Sequence, residues 1–258
     1  MMELKRLLEG VEIRRIVGSA SKEIQGIAYH TRQVEKGYLF AALRGIETDG
    51  HYYIEKAIQK GAEAILLEEG PEISTATLIY VPNSRQALAR VSSNFYGNPS
   101  STVTLIGITG TNGKTTTTYL LEAIFKKAGF RVGVLGTINY RFNEKVFPSA
   151  NTTPESLDLQ RILWEMSRKG VSHVIMEVSS HALNLDRVFD CQFDCALFTN
   201  FTPEHLDFHK TLDHYFESKR RLFSTFLVKS QKQKKFAVIN EDDPRGREII
   251  DGVEVPTL

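Results

Sequence analysis

Cysteine is scarce in this chain, with two in 258 residues, Cys191 and Cys195, both inside FDCQFDCALF. A strand carrying both would set them ~13 Å apart at ~3.3 Å rise per residue, beyond the ~7 Å that a disulfide can span between α-carbons. This argues against a disulfide scaffold and suits two reduced, buried thiols in a cytoplasmic protein. An excess of one charge is missing too. Lys and Arg number 32 against 31 Asp and Glu, a net charge of +1, so no strong field draws the chain to nucleic acid or a membrane surface. No apolar run approaches the ~18 residues of a membrane-spanning helix. The opening MMELKRLLEGVEIRR is charged throughout, where a secretory leader would carry its apolar stretch. What remains is the profile of a globular protein, 41% hydrophobic and 24% charged, long enough for two ordinary domains.

Along the chain, residues 1–99 read as one mixed α/β unit. GYLFAAL, AEAILLEE and TLIYV have the apolar density of strands, while YIEKAIQKG and SRQALARVSSNFYG have helical spacing and end on Gly61 and Gly97. NPSS, at 98–101, reads as a linker. Residues 100–258 then alternate between the two periods. TVTLIGI, RVGVLGT, SHVIMEV, CALFTN and KFAVIN are strand-like; 114–128 and PESLDLQRILWEMSRKG are helical, with Leu120, Leu121, Ile124 and Phe125 expected near one face and Pro154 in the first turn. Such alternation predicts βαβ units and a largely parallel sheet, with ligands beyond the carboxyl ends of its strands. Glu177, Asn200 and Asn240 stand at or near those ends. KSQKQKK, 229–235, reads as a solvated loop.

The chemistry begins at GITGTNGKTTTTYLL, residues 107–121. The strict phosphate-loop pattern asks for glycine where Ile108 stands, and Gly110 lies inside the loop instead. The physical essentials remain. Gly110 and Gly113 let backbone N–H groups turn inward through Thr111 and Asn112. The helix starting near Lys114 offers its positive end to an anion. Lys114 can reach the β- and γ-phosphates of ATP, Thr115 can sit on Mg²⁺, and Thr116 follows in the first turn. The loop by itself leaves a GTPase, a kinase and a ligase open, although no N-K-x-D segment for reading guanine is present.

TGTNGKTT, NTTPESLDL, MEVSSHAL, NFTPEHLDFH and YFESKRRLF follow one another in an order and spacing that resemble the Mur ligase family, most closely its UDP-N-acetylmuramoyl-tripeptide synthetase branch. The resemblance runs from about residue 25 to about 245. It implies an ATP- and Mg²⁺-dependent amide ligase of peptidoglycan precursor synthesis. Such an enzyme adds a diamino acid, meso-diaminopimelate or L-lysine, to UDP-MurNAc-L-Ala-D-Glu through an acyl phosphate, and a monomer is expected. The resemblance makes Glu177 and His205 metal ligands, with Glu204 where the family has Asp, and gives His205 a catalytic part beside Lys114. It makes Lys219 a carbamylated lysine that holds metal; on the residues alone, Lys219 reads as a surface lysine in a helix. Thr152, Thr153, Ser179 and Arg187 match positions that contact the sugar-peptide, and Asn240 one near the adenine or ribose. In the N-terminal unit, Thr31 and the Ile46, Glu47, Thr48 loop match positions that contact the uridine nucleotide.

Members of that family continue past the point where this chain stops and add a domain for the amino-acid acceptor. The resemblance therefore implies an incomplete central domain here, with weak turnover or none. The rival readings are an inactive nucleotide- and UDP-sugar-binding fragment, the related ligase MurF, and folylpolyglutamate synthetase. TTPESLDL together with EVSSHAL favours the tripeptide synthetase, as does the N-terminal unit before the loop, which folylpolyglutamate synthetases usually lack.

Overall fold

A computed structural model of the chain describes residues 1–45, 48–70 and 75–258. The chain folds as two compact units, Met1–Gly97 and Asn98–Leu258. The first unit runs through β1 (Met2–Glu3), α1 (Leu4–Leu7), β2 (Arg15–Val17), β3 (Glu23–Ile24), β4 (Gly26–Ala28), β5 (Tyr38–Ala41), α2 (Ile54–Gln59), β6 (Ala62–Leu67), β7 (Thr77–Tyr80) and α3 (Ser84–Phe95). Among the described residues, five strands form a sheet in the order β2-β7-β6-β5-β4, parallel except where β2 meets β7. Helix α3 starts where the Asn83 side chain accepts from the backbone N–H groups of Arg85 and Gln86, at 2.9 and 3.1 Å. The chain leaves it through Gly97, whose φ of +72° suits a residue without Cβ.

The expected linker is not extended. Asn98 is left-handed and Pro99–Thr102 forms a 3₁₀ turn. The second unit then contains β8 (Thr104–Thr109), α4 (Lys114–Lys127), β9 (Val132–Leu135), β10 (Asn139–Phe142), β11 (Lys145–Pro148), α5 (Ser156–Arg168), β12 (His173–Glu177), α6 (Ser180–Asn184), β13 (Cys195–Phe198), α7 (Leu206–His209), α8 (Leu212–Arg221), a π-helical stretch Leu222–Leu227, β14 (Phe236–Ile239) and α9 (Pro244–Ile250). The sheet order is β11-β10-β9-β12-β8-β13-β14. Strands β9, β12, β8, β13 and β14 are parallel, as the alternation predicts. The hairpin of β10 and β11 adds an antiparallel edge that the sequence reading did not anticipate.

Period-two alternation buries both sheet faces. Leu105, Val174 and Met176 pack beneath α5, which supplies Leu159, Ile162, Leu163 and Met166 at helical spacing. Ile106, Ile108, Val134 and Ile175 line the other face, against Leu121 and Phe125 of α4. The expected apolar face of α4 needs correction here: Leu120 and Ile124 are exposed, and the helix buries Thr118 and Glu122 while Leu121 and Phe125 are partly buried. One residue step turns a helix by about 100°, so Leu120 and Ile124 form a row turned away from that of Leu121 and Phe125. Pro154 also lies outside α5, because Glu155 is the N-cap. Cys191 precedes β13 instead of sharing a strand with Cys195; both are buried free thiols. Lys232 of the basic run is not simply solvated, since its Nζ lies 3.1 Å from the Asp194 carboxylate.

Candidate active site at the carboxyl edge of the parallel sheet

Strands β8, β12 and β13 lie side by side and end together, bringing Thr109, Glu177 and Phe198 to one edge. From Thr109 the chain turns through Gly110 and Gly113 into α4. Gly110 has φ +140°, and a Cβ there would collide with Thr199 Oγ1; only glycine lets the loop lie against the end of β13. The loop is pinned from that side. Thr111 N–H donates to Asn200 O and Asn112 N–H to Asn200 Oδ1, both at 2.9 Å. Thr199 Oγ1 donates to Asn112 O at 2.7 Å, and Thr111 Oγ1 to Thr202 O at 3.0 Å. Gly113, the N-cap, has φ +85° and no side chain to occupy the helix start. The first N–H groups of α4, those of Lys114, Thr115 and Thr116, precede the first residue able to bond back within the helix, so they are available to an anion.

Two lysines converge on one carbonyl. Lys114 Nζ donates to Gly110 O at 2.9 Å and Thr111 O at 2.8 Å, while Lys219 Nζ donates to Gly110 O at 2.7 Å. Lys219 is only 2% exposed, which corrects its reading as a surface lysine: α8 turns it inward above the Tyr215 ring, 4.4 Å from the centroid. Burial and then the positive Lys114 hold the Lys219 pKa well below that of an ordinary lysine. Burial also lowers Lys114, with the Glu177 and Glu204 carboxylates opposing the shift. Tyr215, 3.2 Å from Thr111 Oγ1, is raised by burial to about 12.

Glu177 ends β12 as a carboxylate 1% exposed, which needs close partners to offset its burial. Thr115 Oγ1 lies 2.9 and 3.0 Å from its two oxygens. Thr137 donates its N–H to Oε1 at 3.1 Å and its hydroxyl to Oε2 at 3.0 Å. Among the described residues no group of three His, Cys, Asp or Glu side chains could hold a metal ion. A cation here would therefore draw on a carboxylate, a hydroxyl and oxygens from outside the protein. That hard-oxygen set fits Mg²⁺, which commonly takes one or two carboxylates with phosphate and water.

His205 is left-handed, with φ +55°, and half-exposed. Its Nε2 lies 3.6 Å from Glu204 Oε2, and its ring meets His181 and Tyr215 edge-on at 4.9 and 5.9 Å. His209 is buried between Ser180 Oγ, at 2.9 Å, and Ser218 Oγ, at 3.4 Å. Burial first, then the surrounding histidines and Lys219, lower it to about 4.

The other expected residues separate by what holds them. Thr152 Oγ1 lies 3.1 Å from Thr137 Oγ1. The buried Thr153 hydroxyl donates to Glu177 O and accepts from Ser179 N, at 2.9 and 3.1 Å. Ser179 caps α6, accepting from Ala182 N–H at 3.2 Å. Arg187 donates to Thr153 O at 3.0 Å and pairs with Glu155 at 3.4 Å. Asn240 closes a turn, donating to Thr199 O and accepting from Asp242 N–H. In the first unit, Thr31 O accepts from Lys60 Nζ and Thr48 O from Gly45 N–H. Ile46 and Glu47 lie outside the described residues. The sequence reading missed Thr137, Thr199 and Thr202, and took Asn200 only as a strand-end residue. Thr137, Thr199 and Asn200 come at the ends of apolar runs, and Thr202 lies inside NFTPEHLDFH, a motif read for His205.

Known proteins place this arrangement. Residues 108–257, over half the chain, match the Mur ligase middle domain, and residues 23–96 match the Mur ligase family catalytic domain. The UDP-N-acetylmuramoyl-L-alanyl-D-glutamate–2,6-diaminopimelate ligase of Geobacter metallireducens is 46% identical, aligned over 100% of this chain and 51% of its own length. The enzyme of that name from Clostridium tetani is 44% identical over 100% and 52%. A solved 2,6-diaminopimelate ligase superposes with a TM-score of 0.82 at 26% identity, covering all of this chain and 52% of its own. MurF of Thermotoga maritima, in complex with ADP, gives 0.58 at 25% identity over 92% and 49%. The chain spans about half the length of the curated relatives it matches. No helix among the described residues is long and apolar enough to cross a membrane. With its second unit matched almost throughout by the middle-domain model, this chain belongs to the Mur ligase family.

Proposed function

We propose that the chain is the nucleotide- and UDP-sugar-binding part of an ATP- and Mg²⁺-dependent ligase that joins a diamino acid to UDP-MurNAc-L-Ala-D-Glu in peptidoglycan precursor synthesis. Meso-diaminopimelate is favoured over L-lysine, because the relatives at 44–46% identity carry diaminopimelate in their names. The observation that carries the reading is the Gly110 carbonyl shared by Lys114 and Lys219, beside a Thr115–Glu177 contact. A phosphate loop whose lysine meets a second, buried lysine from a distant helix suits transfer of a phosphoryl group better than simple nucleotide storage.

In this reading the loop amides and Lys114 would hold the β- and γ-phosphates, Thr115 and Glu177 would supply the first protein oxygens to Mg²⁺, and His205 and a carbamylated Lys219 are the further proposed ligands. Mg²⁺ would neutralise charge that develops on the transferring phosphate. Lys219 is suited to modification because its lowered pKa favours the neutral amine. That amine adds CO₂ and releases a proton, becoming an anionic carbamate. Thr152, Ser179 and Arg187 are the proposed contacts for the peptide carboxylate, which takes the γ-phosphoryl group as ADP leaves, and the buried Thr153 holds Ser179 N–H and Arg187 from behind. The incoming amine then displaces phosphate to form the amide. In the first unit, Thr31 and the 46–48 loop are the proposed contacts to the uridine nucleotide.

Lys114→Ala should abolish measurable ATP binding by calorimetry, and unchanged affinity would defeat the phosphate-loop assignment. Stabilisation by UDP-MurNAc-L-Ala-D-Glu should exceed that by UDP-GlcNAc in a thermal shift assay. Equal shifts would remove the substrate assignment while leaving the nucleotide site intact.

A further inference from the structure

Thr137 belongs to none of the motifs, yet it donates to both oxygens of the Glu177 carboxylate. Its backbone comes this close because the preceding residue is Gly136, where a Cβ would overlap Glu177 Oε1. The turn is braced from behind. Gly136 N–H donates to Asn139 O at 3.1 Å, and Asn139 Oδ1 accepts from Arg141 Nη1 at 3.0 Å. Arg141 then grips Glu122 Oε2 through Nε at 2.9 Å and Nη2 at 2.6 Å. Glu122 lies on α4, two turns beyond Thr115. One helix thus supplies Thr115 to the carboxylate and anchors the hairpin behind Thr137.

The two threonines are not equivalent. A hydroxyl has one proton, so Thr115 can donate to only one carboxylate oxygen at a time, and its own oxygen is the one wanted by a cation. Thr137 has two separate donors, aimed at different oxygens, which fix the carboxylate plane whatever Thr115 does. Supporting bonds of this kind orient metal-binding carboxylates in many proteins.

We infer that Thr137 is a positioning residue that holds Glu177 for a Mg²⁺–nucleotide; the inference rests on the proposed role of Glu177. The test compares the affinity of the 258-residue chain for a non-hydrolysable ATP analogue, by calorimetry, with Mg²⁺ and with EDTA. The quantity read is the gain that Mg²⁺ confers. Thr137→Val should cut that gain by roughly ten- to hundredfold, leave the EDTA affinity and melting midpoint near wild type, and be largely rescued by Thr137→Ser. A Thr137→Val protein with the full gain overturns the inference, as does one that loses EDTA affinity equally. Thr115→Val separates the two readings. If it loses the gain while Thr137→Val does not, only the role of Thr137 falls; if wild type shows no gain, the metal assignment of Glu177 falls as well.

Discussion

Two lysine side chains share a single carbonyl oxygen at Gly110, and charge on one opposes charge on the other. Lys219 bears the larger cost because it is almost fully buried, and its depressed pKa reflects that burial. Replacing a buried amine with an apolar residue of similar length removes the cost of its desolvation. Lys219→Met is therefore expected to leave the urea midpoint unchanged or raise stability by about 1–2 kcal/mol, while weakening Mg²⁺-dependent nucleotide binding in calorimetry. His209 carries a pH dependence of stability. Its folded pKa of about 4 lies below the ordinary 6.5, so the unfolded chain binds more protons between those values. Stability from this group is complete above pH 6.5 and is lost as pH falls through 4. Melting midpoints should climb across that window, and His209→Asn should flatten the climb.

At the scale of elements, the hairpin of β10 and β11 hangs on the sheet edge and is tied to α4 by Arg141 and Glu122. Burial alone would raise the pKa of Glu122, but bonds from Arg141 and Lys126 overcome it and keep the carboxyl below its ordinary value. The contact is charge-assisted and mostly shielded, with the two side chains 12% and 10% exposed, so it is stronger than a surface ion pair. Arg141→Met should cost about 1–3 kcal/mol in urea unfolding. Amide hydrogen exchange in 139–148 should rise before that of β8 or β12 in the sheet interior. Equal protection of hairpin and interior strands would show that the clamp does not hold the edge.

For the molecule as a whole, the single tryptophan offers a selective probe. Trp164 lies on α5 in the second unit, so its fluorescence reports the unfolding of the unit that carries the glycine-rich loop before α4. Ligand at a hundred times its Kd should stabilise that transition by about 2.7 kcal/mol. UDP-MurNAc-L-Ala-D-Glu engages the first unit as well in the proposed function. Saturating Mg²⁺–nucleotide that left the tryptophan transition unmoved would separate the loop from nucleotide binding.

The residues alone determined the glycine-rich turn into α4, because glycines and a helix start act locally and need only their neighbours in sequence. They also determined the parallel strands of the second unit, since two-sided burial writes itself as short, almost wholly apolar runs such as TLIGIT and HVIME. Tertiary structure alone decided that Lys219 is buried beside Gly110, 109 positions away in sequence, and that Leu120 and Ile124 of α4 face outward. It also decided that Thr137 serves Glu177 from an antiparallel edge whose strand NYRF is too mixed in character to declare itself. Local preference is set by a residue and its nearest neighbours, whereas burial and partnership depend on which distant surfaces the fold brings together.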